Sequence, residues 1–291
     1  MERYYRQNDA SEHLLLQALA YDRAGDVYNA VKLYKRVIRM APDWSAPFSF
    51  LSLIYKQRNE WQPSLHYSQK AVENNPFDEA AWHNLGIAAT ALKRWELAKK
   101  AWHQLGFKIS KNKKKPVLNP SPIILRLNPK TKPEVVLAKR IDPARARIQS
   151  VPQPSSKHGF QDLILFDNKP NGFHYVEGKK FPIFDELEMI RPSLYFTFAV
   201  ELLTDSMKDV LILEKLCHEA NLGFDNWSNA YRMTKNSKQK GTESYDISAF
   251  PRTEKEQFLV AIGAERNSEV LEILEAWKVI SLKNFGKIQR F

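Results

Sequence analysis

The sequence predicts a multi-domain α+β chain: an N-terminal array of helical repeats, a small mostly antiparallel β domain, and a C-terminal α+β domain of order βαββαβ. Three observations predict it. Residues recur every 34 positions through the first third, with Pro42 and Pro76, Ala30, Ser64 and Ala98, and Leu14, Phe48 and Trp82 in phase. Short β-prone runs divided by Pro, Gly and Asn fill the stretch from Val117 to about Pro192. Strand-like and helix-like patterns then alternate from Ser193 onward. At 291 residues and 43% hydrophobic, the chain is long enough for two or three cores. The expected boundaries are 1–107 for the repeats, 108–116 for a basic linker, 117–192 for the β domain and 193–291 for the α+β domain.

Each repeat reads as two antiparallel helices. In the first, Leu14, Ala18 and Tyr21 precede the Gly25-Asp26 turn, and Ala30, Tyr34 and Val37 follow it as far as Pro42. The second supplies Phe48, Leu51, Ser52 and Tyr55, then Ser64, Ser68 and Ala71; the third supplies Trp82, Leu85, Gly86 and Ala89, then Ala98, Trp102 and Leu105. Small residues recur where helices must touch, with Ala18, Ser52 and Gly86 on the first helices and Ala30, Ser64 and Ala98 on the second. Over residues 11 to 107 this pattern resembles the tetratricopeptide repeat. The resemblance implies a right-handed superhelix whose concave face, lined by the first helices, holds a protein or peptide partner.

Helical phase places Glu12, Leu15, Leu16, Leu19, Phe50, Leu53, Ala80, His83, Asn84 and Ile87 toward that face. Family members that clamp the carboxylate of a chaperone tail use lysine, arginine and asparagine side chains there. The matching places here hold Leu15, Leu19, Phe50, Ala80 and Asn84, so a chaperone-tail clamp is not expected. An apolar groove must be buried, on a partner or on the chain's own later domains. The array also reads as lacking a terminal capping helix, because LGFKISKNKKKP follows directly on the last apolar helix. Intramolecular docking of the later domains is therefore expected.

Formal charge is +11, and residues 108–192 carry most of it, with 17 basic against 8 acidic side chains. KISKNKKKP has five lysines and no acid, without the interleaved aromatics of a nucleic-acid contact, so it reads as a solvated linker. The β-like runs are IILRL, EVVLAKRI, ARARIQSV, DLILF, GFHYVEG and KKFPIFDELEMI, with NPSP, NPKTKP and DNKPNG as turns. Arg140, Arg145 and Arg147 near Asp142 are possible anion contacts, though a solvent-facing stripe with one local ion pair is the favoured reading. Asp185, Glu186 and Glu188, with His158 and His174, are the only candidates for acid-base or metal chemistry. No fixed-spacing ligand motif supports them, and solvated acids at a strand end are expected. This stretch is similar to a block that follows tetratricopeptide repeats in uncharacterised bacterial proteins, a resemblance that adds no function.

In the last third, SLYFTFAVELL, DSMKDVLILEKLCHEANLG and DNWSNAYRM read as strand, helix and strand. After a polar loop, NSKQKGTES, the order recurs in EQFLVAIGAE, SEVLEILEAWKVI and KNFGKIQRF. The two halves resemble the split βαβ units of a ferredoxin-like domain. FLVAIGAE lacks the aromatic and basic residues by which such a sheet stacks RNA bases. Single Cys217 sits in a helix interior with no nucleophile motif around it, which excludes an internal disulfide and favours a reducing compartment. The charged N-terminus and the absence of a long apolar run argue against a secretion signal or membrane span. The sequence thus predicts a cytoplasmic, non-enzymatic interaction scaffold with no cofactor and no metal. Nucleic-acid association through the basic middle is the first alternative, and an enzyme in the β domain the second.

Overall fold

The computed structural model describes residues 9–110, 114–176, 179–228, 244–245 and 257–291. The chain forms two compact units, Met1–Leu118 and Asn119–Phe291.

Among the described residues of the first unit, six helices form three hairpins: α1 (Asp9–Arg23), α2 (Val27–Met40), α3 (Ser45–Gln57), α4 (Trp61–Asn74), α5 (Glu79–Ala91) and α6 (Trp95–Gln104). The second helices start at Val27, Trp61 and Trp95, so the 34-residue period of the sequence is the period of the structure. The hairpin turns repeat too. Gly25, Asn59 and Lys93 are equivalent residues and all have positive φ, at 80°, 58° and 58°. Only the first turn advertises this with a glycine; Lys93 adopts a conformation that costs a side-chain-bearing residue roughly 1–2 kcal/mol. Asp26 and Asp78 cap α2 and α5 through Asn29 N–H (3.1 Å) and Ala81 N–H (2.9 Å).

Ala18, Ser52, Ala30, Ser64 and Ala98 are completely buried. The contacts between helices are direct: Ser64 Oγ donates to the Ser52 carbonyl at 3.0 Å, and Asn84 Nδ2 donates to Ser52 Oγ at 2.9 Å. A Cβ on Gly86 would lie 2.7 Å from the Trp102 ring. The end of the array is closed in part by its own continuation. Gly106 (φ 82°) turns the chain, Phe107 packs edge-on against Trp102 with ring centroids 5.7 Å apart, and Lys115 Nζ lies over Trp95. Lys111 to Lys113 of the expected linker lie outside the described residues.

The second unit begins with a closed barrel of β1 (Ser121–Leu127), β2 (Glu134–Arg140), β3 (Arg145–Ile148), β4 (Leu163–Val176) and β5 (Lys179–Arg191). Sequential strands pair antiparallel, β3 pairs β4, and β5 returns to β1 in a parallel pair with Arg126 opposite Asp185. Alternation sends Leu125, Leu127, Val136, Ala138, Ala146, Ile148, Ile164, Phe166 and Phe184 into one core. DNKPNG, expected as a turn, instead lies inside β4. Register shifts on both sides of Pro170 let the strand carry a proline without a ladder bond and continue. A short strand, Ser244–Tyr245 (β8), pairs with β4 at Phe173 and His174.

The rest of the unit is β6 (Phe196–Leu203), α7 (Met207–Glu219), β7 (Gly223–Asn226), β9 (Phe258–Ala264), α8 (Asn267–Ser281), β10 (Asn284–Phe285) and β11 (Gln289–Arg290). The sheet order is β10-β6-β9-β7 with antiparallel neighbours, and β11 also pairs β6. Phe198, Val200, Leu202, Val260 and Ile262 face Val210, Leu213, Val270, Leu274 and Trp277 from the two helices. The helix in DSMKDVLILEKLCHEANLG stops short of the end of that run: Asn221 takes the left-handed turn (φ 56°) and Gly223 opens β7. The expected second strand starts earlier than DNWSNAYRM, and residues 229–243, which hold the rest of that run and NSKQKGTES up to Glu243, lie outside the described residues.

Barrel and sheet share a seam within this unit. Val151, Phe160 and Ala261 pack together with Tyr195 and Trp227 beside them. Trp227 Nε1–H donates to the Val151 carbonyl at 2.9 Å, and the Val151 N–H donates to Asp225 at 3.2 Å. Cβ atoms on Gly223 and Gly263 would stand 2.6 and 2.7 Å from Phe160. The face of the sheet away from its helices therefore meets the barrel here. Gly263→Ala is expected to destabilise by about 1–3 kcal/mol, the usual cost of overpacking. Urea unfolding of the variant measures this, and wild-type stability would show that Phe160 yields freely.

Candidate functional site

The first helices α1, α3 and α5 carry the residues that phase assigned to the partner face, and the structure separates them into two groups. Leu16 is 60% exposed, with Leu19, Phe50 and Leu53 half-buried, so apolar surface is available on α1 and α3. Glu12 and Ala80 are also exposed. Phe50 leans on Tyr34, rings stacked at 5.5 Å. Leu15, by contrast, belongs to the core of the first two hairpins, and Ile87, His83 and Asn84 are buried. The expectation that Leu15, His83, Asn84 and Ile87 present themselves to a partner is corrected in this respect. The Asn84 amide is spent on Ser52, and His83 packs edge-on against Trp102 at 5.9 Å. These side chains join helices to one another.

The arginines of the β domain are also occupied. Arg145 Nε donates to Asp142 Oδ2 at 2.6 Å, which is the one local ion pair expected, but that carboxylate is completely buried and the pair does not face solvent. Burial raises the Asp142 carboxyl above the usual range, against the opposing pull of Arg145 and the Ala144 and Arg145 amides. Arg147 donates to the Gln161 carbonyl at 3.2 Å. Arg140 lies against the Phe166 and Phe184 rings, its charge centre 5.3 and 4.9 Å from their centroids. The three arginines point to separate partners, so no shared anion site is assembled from them.

Asp185 and Glu186 are not solvated acids. Parallel pairing brings Arg126 opposite Asp185, and the guanidinium grips it with Nε at 2.6 Å and Nη2 at 2.8 Å. Asn171 Nδ2 adds a third donor at 2.6 Å. On the other face of β5, Glu186 accepts the Asn128 N–H at 2.8 Å and meets His158 Nε2 at 2.6 Å. Glu188 stays exposed, and His174 pairs opposite Phe181, well along the ribbon from the Glu186–Phe166 pair. Sequence reasoning missed Arg126, Asn128 and Asn171. The available signal was the alternation in IILRL, which puts an arginine on the opposite face from Leu125 and Leu127 and so asks for a partner. Among the described residues no group of three or more His, Cys, Asp or Glu side chains is placed to hold a metal ion. Burial pushes the Cys217 thiol up to about 12, leaving it a poor nucleophile. No helix among the described residues is long and apolar enough to cross a membrane.

The face of the sheet away from α7 and α8 is met by Phe160 and Val151 at Gly223, Ala261 and Gly263. That location is already filled by the chain.

No protein-family model matches the sequence, and no curated protein matches it. Solved structures do resemble its N-terminal part. The TPR2B domain of yeast Sti1 in a pHsp70 complex is 23% identical, over 32% of this chain and 75% of that one, with a TM-score of 0.30. The first TPR of Spaghetti, bound to the HSP90 peptide SRMEEVD, is 19% identical over 34% and 79%, with a TM-score of 0.32. MamA AMB-1 is 27% identical over 37% and 60%, also at 0.32. The chain's own geometry carries the assignment: helix hairpins with second helices starting at Val27, Trp61 and Trp95, matching turns, and small residues at every tight contact make the N-terminal unit an array of tetratricopeptide repeats.

Proposed function

We propose that the protein is an interaction scaffold whose repeats hold a protein or peptide partner on the apolar surface of α1 and α3. The observation that carries this is apolar surface on the first helices: Leu16 is exposed on α1, with Tyr21 further along it, and Leu19 on α1 and Phe50 and Leu53 on α3 are only half-buried. The Sti1 and Spaghetti domains hold Hsp70 and HSP90 material, yet the places where a carboxylate clamp would need cations and amides hold Leu15, Leu19, Phe50 and Ala80 here, and Asn84 is engaged with Ser52. An apolar or amphipathic segment is the better fit than a chaperone's acidic tail. We read the C-terminal sheet as ferredoxin-like, an order supported by β10-β6-β9-β7 with α7 and α8 on one face.

Leu16→Glu tests the proposal, because an exposed side chain is replaced at little cost to folding. Cross-linked partners recovered with wild-type chain are expected to fall at least tenfold with the variant, as a buried carboxylate opposes an apolar contact. Equal recovery would remove the α1 and α3 surface from the binding role.

A further inference from the structure

We infer that His158 is a proton-operated latch, holding the segment 151–160 that forms the seam between barrel and sheet. The geometry starts from the two ring nitrogens. Nδ1 lies 2.7 Å from the Ser156 carbonyl, and Nε2 lies 2.6 Å from Glu186 Oε1. A carbonyl and a carboxylate are both acceptors, so the ring satisfies both at once only as the imidazolium, with a proton on each nitrogen. The pair is sealed: side-chain exposure is 5% for His158 and 9% for Glu186. Its partners are fixed in turn. The Asn128 N–H holds the second Glu186 oxygen, and Asn128 Nδ2 donates to the same Ser156 carbonyl at 2.9 Å.

The charges around the ring favour the bound proton. Glu186 faces it from β5, Asp162 adds negative charge from the end of the loop, and Glu134 at the start of β2 accepts the Gln153 N–H. Lys157, next in sequence, is exposed with a left-handed backbone. Burial alone would depress the His158 pKa, but the Glu186 hydrogen bond and charge, with Ser156 and Asp162, carry it above its ordinary value.

The latch matters because of what lies on either side. Val151 and Phe160 bracket the segment, and both are set into the sheet through Trp227, Asp225, Gly223 and Gly263. Losing the proton turns one of the two ring contacts into acceptor against acceptor, and the middle of the segment loses one of its holds on the barrel, keeping the Asn128–Ser156 and Gln153–Glu134 bonds. The direction follows from linkage. A histidine raised in the folded state contributes fully below its unfolded pKa of about 6.5 and loses that contribution as pH rises through the raised value.

Hydrogen exchange on the full chain reads this directly, at the amides of 151–160 and at the Trp227 indole N–H, corrected for intrinsic exchange and followed from pH 6 to 9. Protection is expected to fall about tenfold for each unit by which the His158 midpoint, measured by imidazole NMR, exceeds about 6.5. His158→Gln is expected to remove that pH dependence, and Glu186→Gln to bring the His158 midpoint down. Flat protection in the wild type, unchanged pH dependence in His158→Gln, or an unmoved midpoint in Glu186→Gln would each overturn the latch. If His158→Gln does not fold, the wild-type profile and the Glu186→Gln midpoint still decide it.

Discussion

Asp142→Ala is expected to destabilise the second unit by about 3–5 kcal/mol, the cost of breaking a buried ion pair from one side. Asp142 closes the turn between β2 and β3 with three accepted bonds: Oδ1 takes the Ala144 and Arg145 amides at 2.9 and 2.8 Å, and Oδ2 takes Arg145 Nε at 2.6 Å. Truncation removes both acceptor oxygens, and with them all three bonds, and deprives a guanidinium, 9% exposed, of its carboxylate. Asp142→Asn separates the contributions, because the amide oxygen keeps an acceptor for the turn while the charge is lost. It is expected to fall between wild type and alanine. Denaturant unfolding followed by far-ultraviolet circular dichroism measures both. An alanine variant within 1 kcal/mol of wild type would mean that water reaches Arg145 and replaces the pair.

Trp102→Ala is expected to cost the repeat unit about 3–5 kcal/mol, since Trp102 is completely buried and one of the largest side chains in the interior. Its ring meets Gly86 from below, His83 and Phe107 edge-on, and Thr90 Oγ1 through Nε1 at 3.3 Å. That arrangement makes a second, sharper expectation. Gly86→Ala alone overpacks against the ring and destabilises by about 1–3 kcal/mol. With Trp102 already replaced by alanine the clash is gone, and the same change refills space and is expected to be neutral or stabilising. A double-mutant cycle reads the coupling. Additive effects would show that the Gly86 contact with Trp102 is not the reason a small residue stands there.

The repeats were legible in the sequence because each contact that defines them is local. Ser52 meets Ser64 twelve positions away, and the next copy confirms the phase. The left-handed turns at Asn59 and Lys93 were hidden, because only Gly25 carries the residue type that marks such a backbone. In the barrel, strand existence was legible and partnership was not. Arg126 and Asp185 stand 59 positions apart and meet only through the parallel β1–β5 pair, which no alternation pattern encodes. DNKPNG misleads for a related reason: turn-forming residues are also what a bulged strand tolerates, and the pairing partner decides between them. For the partner face, helical phase ranked residues by direction but could not see that Asn84 and His83 are consumed by Ser52 and Trp102.

The parallel return of β5 to β1 also sets an order of events during synthesis. The repeats complete themselves hairpin by hairpin, each helix finding its neighbour within a few tens of residues as it leaves the ribosome. The barrel has no such option. Until Ile183 to Asp185 emerge, β1 exposes an unpaired edge whose apolar side chains, Ile123, Leu125 and Leu127, have no closed interior to enter. Slow translation across residues 128–183 therefore prolongs an aggregation-prone intermediate. The yield of soluble chain should depend on codon speed in that window far more than in the repeats.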